Sequence, residues 1–363
     1  MKAENVLIIP IFIPHLGCPH TCVFCNQHKI AGAYACPDTR DIIDTAERYL
    51  KTAGKRKITR VEIAFYGGSF TGIEPDLQER LLKAAGILKK SQKIQGIRLS
   101  TRPDYINPEV IKVLLKYEVD TVELGVQSLD NEVLQQSERG HRAADVEYAV
   151  SLLQRAGIAI GLQLMPGLPG DSPGKAILTT GKAISLAPDF IRIYPTVVIK
   201  ETKLAQMLAD NRYQPWSLEE AVETTALMYI MLSKAGIPVI RLGLQQTENL
   251  TAGKDLIAGP YHSAFGELVK SRVFRKQVEM LLLNTNLYRQ EADVNLKCNY
   301  RDISQVKGQK SVNIRYFKEN FHLNLNVSPD PQILPAAIRI ELNTGNLFFY
   351  FSRREFLEKY RIE

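Results

Sequence analysis

Three of the chain's five cysteines fall in the nine residues GCPHTCVFC, Gly17–Cys25. Cys18, Cys22 and Cys25 are spaced C-x3-C-x2-C, while Cys36 and Cys298 stand alone. Thiolates at such spacing serve as disulfide partners or as soft metal ligands. A disulfide framework would pair its cysteines, and a chain of 363 residues buries enough core without one. A zinc site would draw a fourth ligand from His20, His28 or Cys36. Three thiolates alone can wrap one face of a [4Fe–4S] cluster and leave the fourth iron open to a chelating ligand. Phe24, between the second and third cysteines, is placed to shield such a cluster and to pack on a ligand.

Further polar groups recur along the chain, each at the end of an apolar run. FYGGSFT (Phe65–Thr71) offers Gly67 and Gly68, which let a ligand approach the backbone or simply make a tight turn. STRPD (Ser100–Asp104), ELGVQS (Glu123–Ser128) and SERGH (Ser137–His141) follow, the last placed at the opening of a helix. A buried polar group needs a partner, and for Gln127 and Arg139 the expected partner is a ligand. Asp104 and Asp130 read as helix caps. LQLMPGLPGD (Leu162–Asp171) ends in a rigid turn, with Gln163 and Met165 lining a pocket beside it; Met165 also suits a core position.

The elements that would carry these groups alternate. Strand-like runs span Val6–Ile13, Val61–Gly68, Ile97–Pro103, Thr121–Ser128, Ile158–Gly167 and Phe190–Val198. Helical patterns span Thr39–Thr52, Glu74–Ser91, Pro108–Tyr117, Ala143–Ala156 and Gly174–Leu186. Val- and Ile-rich strands separated by helices imply βαβ units on a parallel sheet, and six units imply an α/β partial (β/α)6 TIM-type barrel. Its active end is the C-terminal end of the strands, where every quoted motif falls. Leu218–Gly236 reads as a further helix and IPVIRLGLQ as a further strand. The expected division is 1–249 for the barrel and 250–363 for a smaller α+β region. In that region Gly259–Asn284 is helical, SVNIRYF, FHLNLNV, AIRIEL and LFFYF are β-like, and a hairpin turns at Asn343-Thr344-Gly345.

C-x3-C-x-F-C directly after a first strand closely resembles the radical S-adenosylmethionine (SAM) superfamily. TRPDYI, ELGVQS, ERGH and MPGLPGD resemble the radical SAM domain of the Elongator catalytic subunit and its bacterial and archaeal relatives. GVQS and GLPG also resemble oxygen-independent coproporphyrinogen oxidase. The resemblance covers roughly residues 8–200, and more loosely extends to 270. It implies a [4Fe–4S] cluster on Cys18, Cys22 and Cys25, with SAM on the open iron. It further implies reductive cleavage to a 5′-deoxyadenosyl radical, fed by an electron donor such as flavodoxin or ferredoxin. The implied SAM-binding set is Phe24, Gly67, Gly68, Ser69, Ser100, Gln127, Arg139, Gln163 and Met165. The chain departs from the family at several points. Ser69-Phe70 stands where the GG-x-P-type motif has its Glu/Thr-Pro, and Ser100 stands where an acidic residue commonly binds the SAM ribose. Gln163 replaces the aspartate of the coproporphyrinogen branch, and the gap after Cys18 is far shorter than in the Elongator group. No acetyl-CoA loop of the Q/R-x-x-G-x-G/A type is visible near the C-terminus, so the resemblance rests on the radical SAM half alone.

Hydrophobic residues make up 45% and charged residues 23%, a globular composition without a long apolar run for a membrane span or signal peptide. A cytoplasmic location is expected. The net charge of +7 admits a phosphate-bearing partner. RNA, tRNA in particular, is therefore one substrate class, with Arg272, Arg275, Lys276, Arg289 and Lys297 as a basic face. A small metabolite, porphyrin-like or other, is the second, and a non-enzymatic zinc module is a third reading. Sequence leaves the oligomeric state and the identity of the abstracted hydrogen open.

Overall fold

A computed structural model of the protein describes residues 5–14, 18, 22–26, 36–54, 57–244, 255–285, 293–342 and 348–362. In chain order it opens with β1 (Val6–Ile13), α1 (Thr39–Ala53), β2 (Arg60–Gly67), α2 (Pro75–Lys90) and β3 (Gly96–Thr101). It continues with α3 (Pro108–Lys116), β4 (Thr121–Gln127), α4 (Asn131–Gln136), α5 (Ala143–Arg155), β5 (Ala159–Leu164) and α6 (Pro173–Ser185). Then come β6 (Phe190–Ile193), β7 (Val198–Ile199), α7 (Lys203–Ala209), α8 (Leu218–Lys234) and β8 (Val239–Leu242). The rest is β9 (Leu256–Ala258), α9 (Phe265–Thr285), β10 (Asp293–Cys298), α10 (Ile303–Lys307), α11 (Val312–Phe321), β11 (Asn324–Pro329), β12 (Ile338–Leu342), β13 (Phe348–Phe351) and α12 (Arg353–Lys359).

The chain divides into two compact units. One comprises Met1–Trp216, Ile237–Ile240 and Gln245–Pro260; the other comprises Ser217–Gly236, Arg241–Leu244 and Tyr261–Glu363. The first is built on a seven-stranded sheet in the order β1-β2-β3-β4-β5-β6-β8, with β1 through β6 paired in parallel. It is the expected partial barrel, with seven strands instead of six. Each crossover helix starts on local chemistry. Asp38 and Asp41 form a capping box on α1, Asn107 and Ser172 cap α3 and α6, and Pro75, Pro108 and Pro173 sit at first-turn positions.

Side chains alternate along the strands. Ile63, Phe65, Ile97, Leu99, Val122, Leu124, Ile160 and Leu162 are fully or almost fully buried on one face. The other face is polar. Glu62 and Tyr66 of β2, Arg98 of β3, Glu123 of β4 and Arg192 of β6 meet there. Arg98 donates to Glu62 at 2.7 and 2.9 Å and to Glu123 at 3.0 Å. Arg192 reaches Glu123 at 2.6 and 3.0 Å and the Tyr66 hydroxyl at 3.1 Å, and that hydroxyl donates to Glu123 at 3.2 Å. In a flat sheet β2 and β6 would lie about 19 Å apart, four strand spacings. Their direct contact therefore requires a curled sheet with this polar face inside. Burial pushes the Glu62 carboxyl up, but Arg98 and Arg60 outweigh it and hold the group below its usual value. Burial, then Glu123, keeps the Tyr66 phenol neutral, well above its usual range.

Two glycines are dictated by this geometry. Gly67 has φ +110°, and a β-carbon there would sit 2.2 Å from the Ile13 carbonyl oxygen. At Gly161 a β-carbon would lie 2.3 Å from the Phe190 ring. Both places admit no side chain.

In the second unit α9 packs along α8, and a four-stranded sheet runs in the order β11-β10-β12-β13. β10 and β11 are parallel; β12 is antiparallel to both β10 and β13. The β12–β13 hairpin is as expected, although its turn residues lie outside the described residues. One reading is overturned. SVNIRYF is not a strand but the start of α11. Its buried residues, Asn313 and Phe317, are four apart, and Asn313 donates to the Ser271 and Val306 carbonyls at 3.2 and 3.0 Å. β10, not foreseen, buries Val294, Leu296 and Cys298 in strict alternation.

Replacing Glu123 by Ala strands Arg98 and Arg192 without their shared carboxylate. The expected cost is about 3–5 kcal/mol of stability, read as a fall in the urea midpoint. An unchanged midpoint would show that this network carries no such constraint.

Candidate active site at the strand ends

The cysteine segment is tied by backbone bonds to the end of α4 and to the first turn of α7. Val23 N–H donates to the Ser137 carbonyl at 3.2 Å, and Leu204 N–H donates to the Val23 carbonyl at 2.7 Å. Cys25 N–H closes a turn on the Cys22 carbonyl at 3.0 Å. Val23 is buried with Val198, Leu204 and Tyr213, and Phe24 packs against this cluster. All five cysteines are free thiols; Cys22 is buried, while Cys18 and Cys25 are half-buried.

Cys22 Sγ lies 3.0 Å from Arg139 Nη1. Arg139, buried at 6% exposure, also donates through Nη2 to the Gly125 carbonyl at 2.5 Å. Its own carbonyl accepts from Arg102 Nη2 at 2.5 Å, and Arg102 pairs with Asp104 at 2.9 Å. Cys18 accepts a hydrogen bond from the Ser69 backbone N–H. Burial pushes the Cys18 thiol up; the Ser69 bond, Arg102 and Arg139 oppose that rise. Ser69 Oγ is 2.8 Å from Thr101 Oγ1 and accepts from Arg102 N–H at 3.2 Å. One connected set of contacts thus joins Cys18, Ser69, Thr101, Arg102, Arg139 and Cys22.

The amide pair stands on the next strands. Gln127 closes β4 at φ +69°, beyond a register shift after Leu124. Its Oε1 accepts from Gln163 Nε2 at 3.2 Å, and its carbonyl accepts from Met165 N–H at 2.8 Å. Met165 and Gln163 are half-buried. Ser100 lies in register with Glu123 on β4, toward the inner face. Gly68 N–H reaches the Ile13 carbonyl at 3.3 Å, so both glycines join the ends of β1 and β2.

Some expectations are corrected. Asp130 does cap α4, through Val133 N–H at 3.1 Å, but Asp104 caps nothing and instead holds the Arg102 guanidinium. SERGH does not open a helix: Ser137 ends α4, and Arg142 precedes α5. The GLPG turn presses Gly167 against the Trp216 ring, with Tyr213 donating to the Gly167 carbonyl at 2.6 Å. The basic face is neutralised where it is described. Arg272 pairs with Glu219 at 2.6 Å and with Glu223, Lys276 pairs with Glu223, and Lys297 pairs with Glu341 at 2.8 Å. Arg275 lies over the Tyr316 ring at 4.1 Å, and Arg289 falls outside the described residues. Arg102 and Thr101 were inside a quoted motif but unassigned. Only their position beside Ser69 in space reveals them.

A family model for the radical SAM superfamily matches residues 12–180, and one for the Radical_SAM C-terminal domain matches 188–275. The chain belongs to the radical SAM superfamily. Among curated relatives, the tRNA uridine(34) acetyltransferase of Methanocaldococcus infernus is 28% identical over 272 residues, 64% of this chain and 50% of that protein. Elongator complex protein 3 of Saccharomyces cerevisiae is 30% identical over 269 residues, 62% of this chain and 48% of that protein. The chain spans about half the length of the curated relatives it matches. A solved structure of the archaeal Methanocaldococcus infernus Elp3, N-terminally truncated, aligns with TM-score 0.60 at 24% identity, over 75% of this chain and 63% of that one. That likeness places the fold.

The superfamily implies SAM and a [4Fe–4S] cluster, and the donor set fits them. Three free thiols lie in this segment, with Cys18 beside Ser69 and Cys22 beside Arg139. Two buried guanidinium nitrogens next to them, Arg139 Nε and Arg102 Nη1, have no acceptor. Surplus buried donors suit an anionic centre. Among the described residues no three His, Cys, Asp or Glu side chains gather around a single ion. Thiolates of a four-iron cluster bind separate irons.

Asp171, after the GLPG turn, titrates out of its ordinary range. Burial lifts its carboxyl to about 6, against the N–H groups of Gly167 and Ser172, each 2.8 Å away, and Lys175. Its folded pKa exceeds the unfolded value. The stabilisation is therefore complete below about pH 4 and lost as pH rises through 6. Measured against Asp171→Asn, the parent's stability should fall by on the order of 1 kcal/mol between pH 4 and 7, allowing for partial solvent contact. Parallel pH profiles would contradict the assignment.

Proposed function

We propose that this chain holds a [4Fe–4S] cluster on Cys18, Cys22 and Cys25 and uses it to cleave SAM reductively, with RNA, tRNA foremost, as the substrate. The observation that carries the cluster assignment is Arg139 Nη1 at 3.0 Å from the buried Cys22 Sγ, beside two buried guanidinium donors without acceptors. The RNA part is supported by two relatives named for tRNA uridine and Elongator, and by the net charge of +7. Acetyl transfer, named in one relative, is outside the proposal. We place the enzyme in the cytoplasm, with a flavodoxin or ferredoxin as reductant. No helix among the described residues is long and apolar enough to cross a membrane.

The bound cluster and SAM would supply one-electron cleavage to a 5′-deoxyadenosyl radical. The chain's own residues do the rest. The Ser69 N–H and the Arg139 guanidinium donate to Cys18 and Cys22, which stabilises thiolate charge and fixes the sulfurs. Arg102 positions Arg139 through its carbonyl. Gln127 and Gln163 present linked amides at adjacent strand ends, the right kind of group for a ribose or base. Gly67 and Gly68 keep side chains away from the end of β2, and Ser100 supplies a hydroxyl toward the inner face. Phe24 and Met165 supply apolar cover that keeps water from the reacting centre.

After anaerobic reconstitution with iron and sulfide, dithionite and SAM should yield 5′-deoxyadenosine. Cys22→Ala should reduce that yield to background with the circular dichroism spectrum unchanged; undiminished cleavage would refute the cluster assignment. RNA affinity should fall log-linearly with salt. Binding indifferent to salt, or none at low salt, would refute the RNA part.

A further inference from the structure

The four-stranded sheet of the second unit has one face buried and one open to solvent. Ile338, Ile340, Val294, Leu296, Leu325, Val327 and Phe351 are buried on the inner side. The alternate residues form a grid on the outer side. On the edge strand β13, Phe348 is 62% exposed and Tyr350 is 41% exposed. They stand opposite Glu341 and Arg339 of β12, which stand opposite Asn295 and Lys297 of β10, which in turn stand beside Asn326 and Ser328 of β11. Large exposed aromatics are costly on a solvent face, and here two share one strand at a spacing of about 7 Å.

Their surroundings select the ligand. Arg339 lies 5.8 Å from the Phe348 ring centroid and is fixed by Asp330 at 2.8 Å and Glu341 at 2.7 Å. Lys297 shares Glu341 at 2.8 Å, and Asn326 donates to Asn295 at 3.1 Å. A face of two open rings, amides and anchored cations offers stacking and hydrogen bonding together. An apolar protein partner would need a broader hydrophobic patch than two rings amid amides and ion pairs. The two cations of this face, Lys297 and Arg339, are both paired with carboxylates, Glu341 and Asp330, so stacking on the rings rather than net charge carries the binding. Four-stranded sheets that bind single-stranded RNA do so by stacking bases on aromatics of their open face.

We infer that this outer face is a single-stranded RNA platform. Two successive bases stack on Phe348 and Tyr350, Asn295 and Asn326 meet base edges, and Lys297 and Arg339 lie toward the phosphates. The inference rests on the RNA reading above and adds the site that holds the unpaired strand.

The test uses the full chain, titrated at fixed low salt into a labelled ten-nucleotide oligouridylate and into an RNA duplex of the same length. Phe348→Ala and Tyr350→Ala should each weaken oligouridylate binding roughly 5- to 150-fold, the range for losing one stacked base. Phe348→Tyr and Tyr350→Phe should restore it, and duplex binding should change little. 5′-Deoxyadenosine formation without RNA should be unaffected, because neither ring belongs to the cysteine site. Variants that bind the oligomer as tightly as the parent, while the parent binds RNA, would overturn the platform and leave the RNA reading standing. A parent that binds no RNA would overturn both. A loss confined to oligomeric mass in light scattering, with RNA affinity intact, would make the face a protein contact and overturn the platform.

Discussion

Arg192 on β6 touches the hydroxyl of Tyr66 on β2, with Glu123 of β4 bonded to both. Side chains on strands four places apart can meet only if the sheet curls strongly, so this contact fixes the curvature on which everything else rests. The network contains its own compensation. Glu62 and Glu123 face Arg98 and Arg192 with little solvent, and each charge has an opposite neighbour. Breaking it is expensive, whereas an apolar core of the same shape would be as stable or more so. Its retention thus has to do with the polar floor it gives the lumen beneath the strand ends. Gly161 admits the Phe190 ring to the same layer, under Arg98 at 5.1 Å.

Curvature brings the strand ends into one ring. β2 contributes Ser69, β3 contributes Thr101 and Arg102, and β4 contributes Gly125 and Gln127. Arg139, from the loop after α4, bridges the Gly125 carbonyl and the Cys22 sulfur. The cysteine segment is therefore not a free loop. It is held from below by arginine and serine donors and from the side by Val23 in an apolar cluster. Thiolates placed among cations and N–H donors are the environment in which a soft-metal cluster is bound and its charge tolerated.

Much of this was legible in the sequence, for physical reasons that also mark where reading stops. The βα alternation was clear because buried parallel strands are continuous apolar runs bounded by turns. The cysteine spacing and the strand-end motifs were clear because they are local. Glu62, Arg98 and Arg192 were passed over, although period two places each on the inner face; a charge inside a strand gains meaning only when its cross-barrel partner is known. Asp104 was misassigned because an aspartate before a helix normally caps it, and here Arg102 competes for the carboxylate. SVNIRYF alternates like a strand, but packing of Asn313 and Phe317 four apart overrides that pattern. The basic cluster on α9 reads as solvent-facing from sequence, whereas Glu219 and Glu223 of α8 pair with its Arg272 and Lys276.

The central claim is that Cys18, Cys22 and Cys25 form a cluster site with one iron open to SAM. Electron paramagnetic resonance of the anaerobically reconstituted, reduced protein tests it most directly. The account predicts about four irons and four sulfides per chain and a reduced-cluster signal that changes when SAM is added. A protein carrying a single zinc and no sulfide, or a cluster signal indifferent to SAM, would contradict it.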